Sequence, residues 1–294
     1  MNKAATWFFS FVAVLINAMP HRMRYAFSDI IAFALRKVLR YRCKEVRKNL
    51  LASYPHKKLS EIFAIEKRFY RNLGDIFIES LQLLTIKPEN LLKRFSIQNK
   101  GLIDTALENN KGVFLAIGHA GNWEWFAAFL SLLYPGRVGA LYKEQRSKVF
   151  DALFYRMRTR LGGLVMFESK IAYRALAAKS NNARVVIIPG DQTPGGKPTD
   201  HWTMFMHQET PFFTGLEKMA NSLGFAVFFV DLQRKARGHY VAVVEKLEPV
   251  SQTGQQFGLT EAYAQRLERA LMEAPDNWLW SHRRWKHKRK KTVG

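Results

Sequence analysis

The segment Gly118-His119-Ala120-Gly121-Asn122-Trp123-Glu124-Trp125 brings together a histidine, a carboxylate five residues later and three small residues. A histidine whose second ring nitrogen is held by a carboxylate can take a proton from a hydroxyl, because the acid fixes the tautomer and stabilises the imidazolium that forms. On a regular helix, with about 100° per residue, His119 and Glu124 would stand roughly 140° apart. His119 therefore belongs in a loop and Glu124 in the first helical turn, with Asn122 as the N-cap. Gly118, Ala120 and Gly121 let the backbone turn sharply and a substrate come close. A structural loop histidine followed by an acid near a helix N-terminus would show the same spacing, and spacing alone leaves both readings open.

The elements around this segment are those that place a loop at a sheet edge. Val113 to Ile117 is a short apolar run ending at Gly118 and predicts a buried strand; Trp123 to Tyr134 predicts the helix that follows. Further strands are expected at Val138 to Tyr142, Val185 to Pro189, Ala226 to Leu232 and Tyr240 to Leu247. Helices are expected between them at Lys148 to Leu161, Ile171 to Ser180 and Gly215 to Leu223. This alternation predicts an α/β fold, a mixed and mostly parallel central sheet flanked by helices. Ligands in such open sheets collect at the carboxyl ends of strands. Asp191 and Gln192 open a Gly- and Pro-rich loop, Gly190 to Asp200, at the end of the Val185 strand and so on the edge that carries His119; turn chemistry explains an Asp-Gln pair equally well. Thr210 is a further candidate for that pocket, with helix initiation as the alternative.

The first third of the chain is expected to be helical. Tyr25 to Leu51 has apolar residues at helical spacing with a basic opposite face, suited to lying on a membrane, and Ser60 to Leu84 has the stripe of a packed core helix. Ala4 to Met19 is an apolar stretch of 16 residues, about 24 Å as a helix, shorter than the ~30 Å hydrocarbon core. Ten basic residues lie between Lys3 and Lys48 against Asp29 and Glu45. This is a juxtamembrane pattern, and by the positive-inside rule it holds the remainder in the cytoplasm. Residues 1–24 are thus expected to anchor a catalytic domain spanning 25–294. Arg283, Arg284, Lys286, Lys288, Arg289, Lys290 and Lys291 form a second basic cluster, read as lipid-facing. The single Cys43 supports no disulfide and fits a reducing compartment.

Over the whole chain, 46 Lys and Arg against 24 Asp and Glu give a net charge of +22. That charge calls for an anionic partner: nucleic acid, an anionic leaflet or an acidic carrier protein. No helix-turn-helix, zinc finger or RNP signature accompanies it, so nucleic acid is the remote reading. No G-x-S-x-G elbow points to a serine acyl-enzyme, and the eight histidines show no metal-binding pairing such as H-E-x-x-H, so no metal is expected.

His119-Ala120-Gly121-Asn122-Trp123-Glu124 resembles the H-x-x-x-x-D/E motif of glycerolipid acyltransferases, in the H-x-G-N-W-E form of the late lipid A biosynthesis acyltransferases. Ile188-Pro189-Gly190-Asp191-Gln192 is similar to that family's strand followed by a P-D-Q loop, with Gly190 as an extra residue. Trp278-Leu279-Trp280-Ser281-His282-Arg283-Arg284-Trp285-Lys286 is similar to its L-W-x-H-R-R-x-K ending. The resemblance spans about residues 20 to 288. It implies transfer of a fatty acyl group from an acyl carrier protein thioester to a hydroxyl of a lipid A precursor at the cytoplasmic face of the inner membrane, with no other cofactor and no acyl-enzyme. His119 would be the general base and Glu124 its holder, with N–H groups near Gly121 and Asn122 facing the oxyanion. Arg174 matches an arginine that the family places near a substrate phosphate, and Asp191 and Gln192 would line the substrate site. The same machinery would serve another lipid acceptor, such as an aminolipid, a phospholipid or a pigment.

Overall fold

The computed structural model describes residues 3–109, 111–145, 147–169, 171–178, 184–194, 201–250 and 256–289, with side chains from residue 9 onward. Part of the Gly190 to Asp200 loop (195–200), the expected helix end at 179–180, and Lys290 and Lys291 lie outside these residues. An N-terminal helical layer comes first: α1 (Lys3–Ala18), α2 (His21–Phe33) continued by a π-helical turn (Ala34–Val38), α3 (Cys43–Ser53), α4 (Leu59–Gln82) and α5 (Pro88–Leu92). The alternating part follows as β1 (Phe95–Gln98), α6 (Gly101–Glu108), β2 (Val113–Ile117), α7 (Trp123–Leu133), β3 (Val138–Tyr142), α8 (Lys148–Thr159), β4 (Val165–Glu168), α9 (Ala172–Ala177) and β5 (Val185–Pro189). A hairpin of β6 (Trp202–Phe205) and β7 (Gln208–Pro211) precedes α10 (Gly215–Leu223), β8 (Ala226–Ala236), β9 (His239–Lys246) and α11 (Gly258–Glu273).

Among the described residues, seven strands form one sheet in the order β1-β9-β8-β2-β5-β3-β4. Every pairing in it is parallel except β8 with β9. This is the expected mostly parallel α/β sheet. The centre is β2, whose five residues are all buried because both faces are covered. Phe114 and Ala116 pack on one side with α4, α10, α11 and the C-terminal tryptophans; Val113, Leu115 and Ile117 pack on the other with α6, α7 and α8. A strand covered on both faces reads as an uninterrupted apolar run rather than an alternating one.

The expected Tyr25 to Leu51 helix is instead broken at Arg40 to Arg42, where Arg40 and Arg42 adopt φ values of 47° and 51° before α3 begins at Cys43. Two arginines in the left-handed region carry no local sequence cue, since that region favours glycine and asparagine. β1 and β4 are four-residue edge strands defined by their pairing with β9 and β3. They were not among the expected strands, and the β6–β7 hairpin and α11 were not expected either. α2 runs across the expected boundary at residue 24. Arg24 is buried and donates to the carbonyl oxygens of Ile16, Asn17 and Met19, satisfying acceptors that the end of α1 leaves open. Ala13 and Ile16 are buried as well, so α1 is joined to the core by its inner face. Among the described residues, no helix is long and apolar enough to cross a membrane.

The C-terminal segment is only partly the basic surface expected. Trp278, Trp280, Ser281 and Arg284 are buried. The Arg284 guanidinium stacks 4.5 Å from the Phe212 ring and donates to the Pro211 carbonyl, and its burial lowers its pKa to about 10. Arg283, Lys286, Lys288 and Arg289 remain on the outside.

Candidate active site

Strand register decides which carboxylate meets His119. β2 and β5 are parallel neighbours, and Ile117 pairs with Pro189 at their carboxyl ends. Two residues beyond each lie His119 and Asp191. Asp191 Oδ1 accepts from His119 Nδ1 at 2.6 Å, and Asp191 Oδ2 accepts from the His119 backbone N–H at 2.8 Å and from Trp278 Nε1 at 2.6 Å. The extra Gly190 leaves this alignment intact, its N–H donating to the Ile117 carbonyl at 3.3 Å.

Burial works against the charged form of His119, but the Asp191 carboxylate, by its charge and its hydrogen bond, outweighs it and raises the imidazole pKa above its usual value. Burial also opposes ionisation of Asp191; the attraction of His119 and hydrogen bonds from His119 and Trp278 prevail and bring its pKa down to about 2. Asp191 is therefore an anion throughout the physiological range. With Nδ1–H committed to it, the lone pair of His119 sits on Nε2, where the exposed Gln192 amide nitrogen approaches to 3.3 Å. The Trp123 ring stands edge-on to the imidazole with centroids 5.2 Å apart, closing one side. A ring thus oriented, with its basic nitrogen on the open side, is the arrangement required of a general base.

Glu124 is not the partner of His119. Its carboxylate takes both N–H groups of the Arg158 fork from α8, Nε at 2.8 Å and Nη2 at 2.5 Å. Residing in the first turn of α7, Glu124 faces α8 rather than the loop that precedes its own helix. It acts on His119 through charge alone, adding to the rise in the imidazole pKa. The expected bond from Glu124 to the imidazole is replaced by one from Asp191, which the sequence reading had placed only on the same edge.

The turn itself is held from several directions. Gly121 has φ of 57°, and a Cβ there would lie 2.6 Å from the Leu232 carbonyl oxygen, so only glycine fits. At Gly118 an added Cβ would come 2.7 Å from Leu267 Cδ1. The C-terminal segment crosses the turn as a strand-like clamp: Ala120 bridges Trp278, and Leu279 N–H donates to the His119 carbonyl. Asn122 caps α7 as expected, its Oδ1 accepting from Trp125 N–H at 2.9 Å.

This bonding occupies one of the two N–H groups expected near the oxyanion, and it engages the Asn122 side chain. The Gly121 N–H is already shared by the backbone and side-chain oxygens of Asn277 at 3.0 and 3.1 Å, so it is not free for an oxyanion. Asn122 is fully buried, with its amide nitrogen given to Glu79 and its oxygen to the cap. Arg174 is exposed on α9, which follows the edge strand β4 in the chain, and no described contact joins it to His119. Thr210 is buried and accepts from Trp285 Nε1, a packing role. Trp278 and Arg158 carry no sequence signal for these contacts, although Trp278 lies within the C-terminal motif. Among the described residues, no group of histidines, cysteines and carboxylates has the arrangement of a metal site.

Residues 1–287 match the family model described as bacterial lipid A biosynthesis acyltransferase. Two curated relatives are the lipid A biosynthesis palmitoleoyltransferase of Escherichia coli (strain K12) and the lipid A biosynthesis acyltransferase of Shigella flexneri. Each is 22% identical over 284 residues, covering 96% of this chain and 90% of the relative. The strand-end histidine and its aspartate partner lie inside that match, and the chain belongs to the bacterial lipid A biosynthesis acyltransferase family.

Proposed function

We propose that this acyltransferase moves a fatty acyl group from an acyl carrier protein thioester to a hydroxyl of a lipid A precursor, at the cytoplasmic face of the inner membrane. The observation that carries the reading is the 2.6 Å bond from His119 Nδ1 to Asp191, which leaves Nε2 as a base on the open side of the loop. In this mechanism the acceptor hydroxyl gives its proton to Nε2 as its oxygen attacks the thioester carbonyl. Asp191 holds the ring and balances the imidazolium. The tetrahedral intermediate collapses with departure of the thiolate, which recovers the proton from Nε2. No acyl-enzyme forms. The exposed Gln192 amide beside Nε2 is the donor that would hydrogen-bond the thioester oxygen as it gains charge. Glu124 and Arg158 hold α7 to α8 next to the turn.

The net charge of +22 supports an acidic carrier protein and an anionic leaflet as partners, since long-range attraction concentrates both at a basic surface. The outer face of α2 and the following turn supports docking to lipid: Met23, Phe27, Ile30, Phe33, Val38 and Leu39 are all exposed, with Arg22, Lys37 and Arg40 also on the outside. An apolar stripe bordered by cations is the pattern of a helix lying in the membrane interface. The test is a transfer assay with a labelled fatty acyl thioester of acyl carrier protein and a lipid A precursor in liposomes. Transfer that disappears in His119→Ala supports the reading; transfer that survives in that variant refutes it.

A further inference from the structure

Glu79 lies near the end of α4 and is completely buried. Taking a lone carboxylate out of water costs several kcal/mol, and here three donors from separate parts of the chain offset it. Tyr25 of α2 donates to Oε1 at 2.7 Å; Tyr240 of β9 and the Asn122 amide nitrogen donate to Oε2 at 2.6 and 2.8 Å. The Glu79 main-chain carbonyl accepts from Trp125 Nε1 at 2.6 Å. Burial drives the Glu79 carboxyl pKa upward, and the hydrogen bonds from Tyr240, Tyr25 and Asn122 pull against that.

One of these donors leads to the catalytic turn. Asn122 has two chemically opposite ends: the nitrogen faces Glu79, and the oxygen caps α7 at Trp125. An ionised carboxylate only accepts and a backbone N–H only donates, so Glu79 and Trp125 together fix which way the amide points. Asn122 is next to Gly121 and three residues from His119, in a turn that is also tied, among the described residues, to Asp191, Gln192 and the C-terminal segment. A small rotation at Asn122 would shift His119 relative to Asp191.

We propose that Glu79 is a positioning residue for His119, acting through Asn122 to tie the turn that carries His119 to α4. The inference rests on the reading of His119 as the base. Glu79→Gln keeps the shape but replaces one acceptor with a donor, so the Asn122 amide loses its fixed partner. Displacement of a catalytic group by about 1 Å can lower the rate on the order of 10²-fold.

The test uses the full chain in the transfer assay, reading kcat, KM and melting temperature for Glu79→Gln, Asn122→Ser, the double variant, Tyr25→Phe and His119→Ala. Asn122→Ser keeps a capping oxygen but cannot reach Glu79. The expected result is a kcat loss of roughly 10- to 100-fold in Glu79→Gln with KM within about 2-fold, a similar loss in Asn122→Ser, and no further loss in the double variant, because both act through one contact. Tyr25→Phe, which leaves the Asn122 bond in place, should lower the melting temperature and spare kcat. Multiplying losses in the double variant, or a wild-type kcat in Glu79→Gln, would overturn the proposal. Should Glu79→Gln fail to fold, the remaining pair decides: loss of kcat in Asn122→Ser but not Tyr25→Phe supports it, and equal losses or none overturn it. Activity in His119→Ala removes the base itself and this inference with it; an inactive His119→Ala beside fully active Glu79→Gln and Asn122→Ser removes this inference alone.

Discussion

Two carboxylates lie near the turn that carries the proposed base His119, and they do different work. Glu124 is the nearer in sequence, five residues from His119, yet it is fully engaged by the Arg158 fork. Asp191 is 72 residues away in sequence and holds both the imidazole and the backbone N–H of His119. The difference follows from where each sits. A carboxylate in the first turn of α7 is carried past the histidine and toward the neighbouring helix, whereas two parallel strands ending in register place the residues just beyond them side by side. Local spacing finds the turn, and sheet order finds its partner.

Removing the base gives the largest effect. His119→Ala should lower kcat roughly 10²- to 10⁴-fold, the usual worth of a general base, with the fold preserved as judged by circular dichroism. Asp191→Asn comes next, with a loss on the order of 10²-fold or more, because an amide neither fixes the tautomer nor balances the imidazolium. Its sign in pH follows from the raised His119 pKa. In the proposed mechanism the active form is the neutral imidazole, so the acid limb of kcat/KM for the wild type should lie above 6.5, the unperturbed value. Loss of the Asp191 charge disfavours the imidazolium and moves that limb to lower pH.

Glu124→Gln sharpens the comparison from the other side. It leaves the largely buried Arg158 charge without its partner, a loss of about 1 to 3 kcal/mol for a pair that is not fully enclosed. Thermal unfolding should show it clearly, while kcat falls about tenfold or less. A loss equal to that of Asp191→Asn would mean that Glu124 turns toward His119 in the working enzyme. The smallest effect on chemistry is expected at the α2 face proposed to meet lipid. Ile30→Asp with Phe33→Asp should weaken flotation with anionic liposomes by more than 10-fold, since each removes apolar surface worth roughly 1.5 to 3 kcal/mol when buried in lipid. Transfer to a detergent-dispersed acceptor should change little. Removing α1 would not test the same point, because Ala13, Ile16 and the Arg24 bonds make its inner face part of the core.

Much of this architecture was legible before any coordinates. β2, β3, β5 and α10 begin and end where the apolar runs and glycines put them, and α7 starts at the Asn122 cap. The short edge strands β1 and β4 were not legible, because four residues carry too little pattern and owe their conformation to their neighbours. The break at Arg40 to Arg42 was not legible either, because its positive φ angles fall on arginines, a residue type that does not mark that region. At the site, His119, Asp191 and Gln192 were each found by motif and strand-end position. What could not be read was that β2 and β5 are neighbours, and the His119–Asp191 bond depends on that adjacency. The free N–H expected at Gly121 failed likewise, since the Asn277 oxygens that occupy it come from the far end of the chain.

The most direct test of this account is the pH dependence of acyl transfer in Asp191→Asn set beside Glu124→Gln. The account predicts that Asp191→Asn loses on the order of 10²-fold and shifts its acid limb to lower pH, while Glu124→Gln retains most of its rate and shifts that limb less. The reverse ranking, with the larger loss and the larger shift in Glu124→Gln, would contradict it.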